Sequence, residues 1–111
     1  MKTTVIGSGF GGIAAALRLR AMGHDVTLLE KLDAVGGRAQ QFKRAKYIHD
    51  AGPTVITAPN LFYELFELFN ENLEDYLEFK PLDPWYRFYF VNGFEFDYVP
   101  NRERMLDQIQ R

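Results

Sequence analysis

With 111 residues, 47% of them hydrophobic and 25% charged, the chain has an ordinary globular composition and the length of about one domain. Its 13 Lys and Arg stand against 15 Asp and Glu, and a net charge of -2 gives no electrostatic footprint for nucleic acid or for a polybasic membrane anchor. There is no Cys, and His24 and His49 are the two histidines, so disulfide frameworks, cysteine redox chemistry and the usual zinc constellations are excluded; redox chemistry here needs an organic cofactor.

In chain order, residues 3 to 6 are a β-branched run ended by Gly7, which predicts a short buried strand and comes too soon to be the core of a secretory signal. The expectation is a cytoplasmic start, and no window reaches the ~18 apolar residues of a spanning helix. Ile13, Leu17 and Ala21 then recur every four residues as one apolar stripe, with Arg18 and Arg20 free to reach solvent, and Gly23 stands where a helix ends in the left-handed conformation. Val26 to Glu30 is the second strand, so residues 3 to 30 read as a βαβ unit.

Residues 31 to 46 are polar and broken by Gly36-Gly37, which predicts an ordered loop with a short helical start. After the turn at Ala51-Gly52-Pro53, Asn60 is the expected N-cap of a helix over 60 to 72. Leu61, Phe62, Leu65, Phe66, Leu68 and Phe69 lie on its apolar side, and Glu64, Glu67 and Glu71 on a solvated one. Residues 85 to 99 are dense in aromatics and split by Asn92-Gly93, which predicts a two-residue hairpin turn pairing Val91 with Phe94, Tyr89 with Phe96 and Arg87 with Tyr98. That register places Arg87, Tyr89, Val91, Phe94, Phe96 and Tyr98 on one face, and Tyr86, Phe88, Phe90, Glu95 and Asp97 on the other. A last helix begins at Asn101 and carries Met105, Leu106 and Ile109 as its apolar positions.

The sharpest motif is Gly7-Ser8-Gly9-Phe10-Gly11-Gly12 between the first strand and the first helix, the place of a dinucleotide-binding turn. Gly7 permits the tight turn, Gly9 lets the backbone approach a pyrophosphate, and Gly12 lets helix and strand pack closely. The helix N-terminus offers unpaired amides and its positive dipole end. Glu30 ends the second strand 18 residues after Gly12, where a carboxylate accepts from ribose hydroxyls and repels a 2′-phosphate.

Gly7, Gly9, Gly12, Ala16, Leu19, Gly23, Val26 and Glu30 together resemble the FAD-binding βαβ unit of flavoproteins with two dinucleotide-binding domains. Asp33 to Arg38, with its Gly36-Gly37-Arg38, is similar to the glycine-pair-arginine motif that follows this unit in the amine oxidase and carotenoid desaturase superfamily; alone, Arg38 reads equally as a solvated loop charge. His49 to Thr57 resembles the segment that lies beside the flavin in carotenoid desaturases of the bacterial phytoene desaturase type, with Lys46 standing before Tyr47 where such sequences often have glycine.

The resemblance covers the whole chain as an amino-terminal portion. It implies an α/β fold class: the βαβ of a Rossmann-like FAD-binding domain over 1–59, then over 60–111 the truncated start of an α+β substrate-binding region with an aromatic β-hairpin, the whole an incomplete fold. It assigns FAD binding to Gly7, Ser8, Gly9, Phe10, Gly11, Gly12, Glu30, Lys31, Gly36, Gly37, Arg38, Gly52, Pro53 and Thr54, and names no catalytic acid or base and no metal ligand. The implied activity is desaturation of a long apolar isoprenoid or carotenoid precursor by hydride transfer to flavin. The parent enzyme would be cytoplasmic with peripheral attachment to the inner membrane face, take no nucleic-acid partner, and this chain would be a fragment without turnover of its own. Three alternatives stay open: another flavoenzyme of the superfamily (an amine oxidase, a polyene saturase or an isomerase), a plain NAD-binding Rossmann domain, and a catalytically silent fragment. His49 and Asp50 are adjacent, so within a strand they point to opposite faces and form no relay with each other.

Overall fold

The computed structural model describes residues 1–52 and 54–110. The chain divides into two compact units, Met1–Leu77 and Glu78–Arg111.

In the first unit, β1 (Lys2–Ile6) and β2 (Asp25–Leu29) pair in parallel with Lys2 opposite Asp25 and Ile6 opposite Leu29. Helix α1 (Phe10–Ala21) connects them and packs on one face of the pair, where Thr3, Val5, Val26 and Leu28 are half-buried. Alternation puts Ile6 and Leu29 on the opposite face, where they are 84% and 51% exposed; parallel sheets are normally covered on both sides, so this face is an unfinished core. Gly23 ends α1 with φ 86, and Arg18 and Arg20 stand in its last turn, where cations suit the helix dipole.

The stretch expected to be a loop holds a second sheet. After a 3-10 turn at Gly37–Ala39, β3 (Gln41–Arg44) and β4 (Tyr47–Asp50) form an antiparallel hairpin, with Arg44 opposite Tyr47 and Gln41 opposite Asp50. Polar side chains hid it: all eight residues are exposed, and its two-residue turn lacks glycine, with Ala45 taking φ 53. Tyr47 and His49 share one face, their rings 6.3 Å apart, while Asp50 lies on the other and accepts from Gln41 Nε2 at 2.9 Å.

Helix α2 (Asn60–Glu67) is shorter than its apolar pattern and starts differently. Asn60 is its first residue rather than its N-cap. Pro59, with φ -61 and ψ -29, already has helical geometry and holds the cap position, and its carbonyl accepts from the Phe62 amide at 2.9 Å. The helix ends in a turn where Asn70 has φ 55, and a 3-10 turn at Leu73–Asp75 follows, with Leu73 fully buried. The Phe10 and Phe62 rings meet edge to face at 5.9 Å, and Arg18 pairs with Glu64 at 3.2 Å, so Glu64 ties α2 to α1 as well as facing solvent.

The second unit is an antiparallel hairpin of β5 (Tyr86–Tyr89) and β6 (Glu95–Tyr98) with α3 (Arg102–Ile109) packed on β6. The register is one residue from the expected one: Tyr86 pairs with Tyr98, Arg87 with Asp97, Phe88 with Phe96 and Tyr89 with Glu95. The cause is the loop. The Gly93 amide donates to Phe90 O (3.0 Å), the Phe90 amide to Phe94 O (2.9 Å), and Gly93 has φ 81, so three residues, Val91-Asn92-Gly93, make the turn with Gly93 in the left-handed position. A one-residue slip reassigns faces. Tyr86, Phe88, Phe90, Phe94, Phe96 and Tyr98 now share one all-aromatic face, while Arg87, Tyr89, Glu95 and Asp97 share the other, with Arg87 bidentate on Asp97 at 2.6 and 2.8 Å. That pairing holds Asp97 below the usual carboxylate range. Asn101 caps α3 by accepting from the Arg104 amide at 2.9 Å, as its position predicts. The Gln108 side chain on α3 accepts from the Asp97 amide (2.7 Å) and donates to the Asp97 carbonyl (2.8 Å), closing part of the open edge of β6.

Candidate nucleotide-binding site

The three glycine-containing motifs, far apart in sequence, are stacked on one another in the first unit. Gly7 leaves β1 with φ 93, a conformation other residues rarely adopt, and its amide donates to the Leu29 carbonyl at 2.7 Å, anchoring the turn to the end of β2. At Gly12 a side chain would collide with the Gly7 carbonyl, and at Gly52 with the Arg38 carbonyl; at Gly37 it would stand 3.0 Å from Gly9 Cα. These glycines mark places where one backbone passes directly against another. Gly9 forms a parallel bridge to Gly36, the Gly36 amide donates to Ser8 O at 2.8 Å, and the Ala51 amide donates to Gln40 O at 2.8 Å. Segments 7–12, 36–40 and 51–52 therefore form one backbone cluster.

Gly9 and Gly11 differ from the packed glycines: nothing lies within 4 Å of where a side chain would stand at either. This open space adjoins the first turn of α1, whose amides the helix itself leaves without partners and whose dipole end is positive. Space and polarity of this kind can receive an anionic group. Helix α1 has no side-chain cap and no acidic residue in its first turn.

Glu30 stands just past β2. Its Oε2 accepts from both the Ser8 amide and the Ser8 hydroxyl, each at 2.7 Å, and its Oε1 accepts from the Leu32 amide at 3.0 Å. The Ser8 hydroxyl, then the Ser8 and Leu32 amides, hold the Glu30 carboxyl down to about 2 from its ordinary 4.5, so it is ionised at any physiological pH. Ser8 is completely buried. Sequence reasoning placed Ser8 in the loop through the motif alone; its hold on Glu30 has no sequence signal, because a serine hydroxyl 22 positions away gives no periodicity to read.

The remaining expected site residues fall into two groups. Gly36, Gly37 and Gly52 belong to the cluster, although the Gly36 amide is spent on Ser8 rather than directed outward. Phe10, Lys31, Arg38 and Thr54 are exposed, Phe10 with its ring against Phe62. Pro53 lies outside the described residues. Among the described residues no group of acidic and His side chains could hold a metal ion, and no helix is long and apolar enough to cross a membrane.

Comparison with known proteins gives the family. A lycopene-forming phytoene desaturase from Pantoea ananas is 47% identical over 109 residues, covering 98% of this chain and 22% of that protein. A second, from Pseudescherichia vulneris, is 44% identical over 108 residues, 97% of this chain and 22% of the relative. A 4,4'-diaponeurosporene-forming 4,4'-diapophytoene desaturase from Staphylococcus haemolyticus is 43% identical over 90 residues, 81% of this chain and 18% of the relative. The chain thus spans about a fifth of the length of the curated relatives it matches. The family model for flavin containing amine oxidoreductases matches residues 10–109, and with the glycine cluster and Glu30 in place the chain belongs to that family.

Proposed function

We propose that the chain is the nucleotide-holding amino-terminal part of a flavoenzyme that desaturates a long apolar isoprenoid, a carotenoid precursor. The observation that carries the nucleotide half is the stacking of three glycine segments beside an ionised Glu30, with open space at Gly9 and Gly11. These residues fit the adenosine and pyrophosphate end of FAD. The first-turn amides of α1 and the dipole behind them meet the pyrophosphate, Gly9 and Gly11 leave it room, and Glu30 accepts from the ribose while repelling a 2′-phosphate. Arg38 and Lys31, both exposed, add positive charge for the same phosphates, and the resemblance assigns Gly52, Pro53 and Thr54 to the same cofactor. When bound, FAD supplies the acceptor for a hydride taken from a carbon–hydrogen bond. The chain's own residues bind and orient; none of them is assigned as an acid or base.

The substrate class is supported by the names of the phytoene and diapophytoene desaturases to which the chain is similar, and by the resemblance of His49 to Thr57 to the flavin-side segment of such enzymes. We assign residues 60–111 to the start of the substrate region, and the parent enzyme to the cytoplasmic face of a membrane, where an apolar polyene dissolves. The family's amine substrates give a second reading. Titrating the chain with FAD tests the nucleotide half: calorimetric binding, lost in Gly12→Ala, is expected, and absence of binding overturns it. Assaying the parent enzyme with phytoene and with simple amines tests the substrate, and turnover of amines without polyenes would replace the desaturase reading. The 111-residue chain alone is expected to turn over neither.

A further inference from the structure

We infer that Asn92 is a site of spontaneous covalent modification, losing its side-chain ammonia through a cyclic imide to give aspartate and isoaspartate, and that the three-residue turn of the β5–β6 hairpin governs the rate. The chain has five asparagines, and Asn92 alone is followed by glycine. Asn60, Asn70, Asn72 and Asn101 precede Leu61, Glu71, Leu73 and Arg102, whose side chains crowd the approach of the next amide nitrogen to the carboxamide carbon. Asn92 and Gly93 are exposed to the water that the reaction consumes. In the first step the Gly93 nitrogen gives up its proton and bonds to Asn92 Cγ, the Cγ–Nδ2 bond breaks and ammonia leaves. Water then opens the imide at either carbonyl, giving aspartate or, with the chain rerouted through the side chain, isoaspartate. No oxidant or reductant takes part.

Two hydrogen bonds in the turn act in opposite directions. The Phe94 amide donates to Asn92 Oδ1 at 3.1 Å, which folds the carboxamide forward along the chain and draws electron density from Cγ, where negative charge develops on the oxygen as the nitrogen attacks. The Gly93 amide, the nucleophile, donates to Phe90 O at 3.0 Å, so its proton is held by the bond that closes the turn. The folded hairpin therefore carries an activated carbon and a sequestered nitrogen, and reaction waits for the Gly93–Phe90 bond to open. Isoaspartate puts an extra backbone atom into the turn. The loop that sets Phe90 against Phe94, their rings 5.5 Å apart, then no longer closes in the same register, and the aromatic face loses its alignment at that end.

Incubating the chain in mildly alkaline buffer made with heavy-oxygen water, with and without urea, and following the tryptic peptide from Phe88 to Arg102 by mass spectrometry tests the proposal. Conversion at Asn92 ahead of the other four asparagines is expected, with one heavy oxygen taken up per event. The rate should be about fivefold or more higher in urea than in the folded chain, because opening one hydrogen bond frees the nucleophile. Gly93→Ala should slow the conversion in urea, where its own folding does not enter. Asn92→Asp carries the charge without the extra backbone atom and should keep the near-ultraviolet signal of the aromatic face, which the isoaspartate form loses. Conversion spread over the other asparagines, or none at Asn92 in urea, overturns the site. Equal rates with and without urea overturn the hold of the turn on Gly93, and an isoaspartate form with its aromatic signal intact overturns the link to the register.

Discussion

The glycine cluster of the first unit and the aromatic hairpin of the second use opposite means of construction. Around Gly7, Gly12, Gly37 and Gly52 side chains are removed so that backbones can touch, and the polar groups that remain, Ser8 and Glu30, satisfy each other. On the β5–β6 hairpin large rings are gathered on one face and left half-covered: Phe88 is 49% and Phe90 52% exposed, although ring pairs such as Phe88–Phe96 (6.2 Å) and Phe90–Phe94 (5.5 Å) are in contact. The first region is finished before a ligand arrives. The second leaves its rings about half exposed, and its stability rests on the turn, the cross-strand pairs and α3.

Breaking the first region should cost most. Gly12→Ala drives a methyl into the Gly7 carbonyl, and since both are backbone on paired elements neither can step aside; a loss of about 3 kcal/mol in urea unfolding is expected, with loss of FAD binding. Gly11→Ala, one residue earlier and in open space, is the control. It should leave folding unchanged or raise stability by less than about 1 kcal/mol, because alanine favours the helix. Equal damage from both would show that the helix start, and not the crossing of backbones, is the fragile feature.

The second region should yield in a smaller step. Gln108→Ala strips the Asp97 amide and carbonyl of their partner on α3, and about 1–2 kcal/mol should be lost, with α3 released from the hairpin and amide exchange at Asp97 accelerated. Gly93→Ala, which forces a side chain onto φ 81, should cost about 1–2 kcal/mol and blur the near-ultraviolet signal of the aromatic face. If Gly93→Ala instead left the aromatic signal intact, the left-handed position of Gly93 would not be what holds the aromatic face together.

What could be read from sequence follows the range of the signal. Gly7 to Glu30 was legible because its information is local: glycine spacing, a four-residue apolar recurrence and a carboxylate at a fixed distance. The aromatic hairpin was legible as a hairpin but not in register, since Asn92-Gly93 serves both two-residue and three-residue loops and only the backbone decides that Val91 joins the turn and Gly93 alone is left-handed. Asn60 was misplaced as a cap because the fixed φ of Pro59 brought the helix start forward by one residue. The pairing of Ser8 with Glu30 and of Gln108 with Asp97 was not legible at all. Each joins residues that come together only when strands and helices have packed.

The β3–β4 hairpin is the smallest test of the same contrast, because there a turn is made without the residue it wants. Ala45 holds φ 53 at the tip, where a Cβ crowds the following carbonyl and costs roughly 1–2 kcal/mol relative to glycine in that conformation. Part of this is returned by the unfolded chain, in which glycine has more freedom to lose. Ala45→Gly should therefore stabilise the chain by about 0.5–1 kcal/mol, seen as a higher urea midpoint with an unchanged slope. Lys46→Gly, one residue later, should do no such thing, since Lys46 is not in the left-handed region and the substitution removes its cation from over the Tyr47 ring at 5.5 Å. Were Lys46→Gly the stabilising change and Ala45→Gly neutral, the strain would sit one residue later, and the register of β3 on β4 with it.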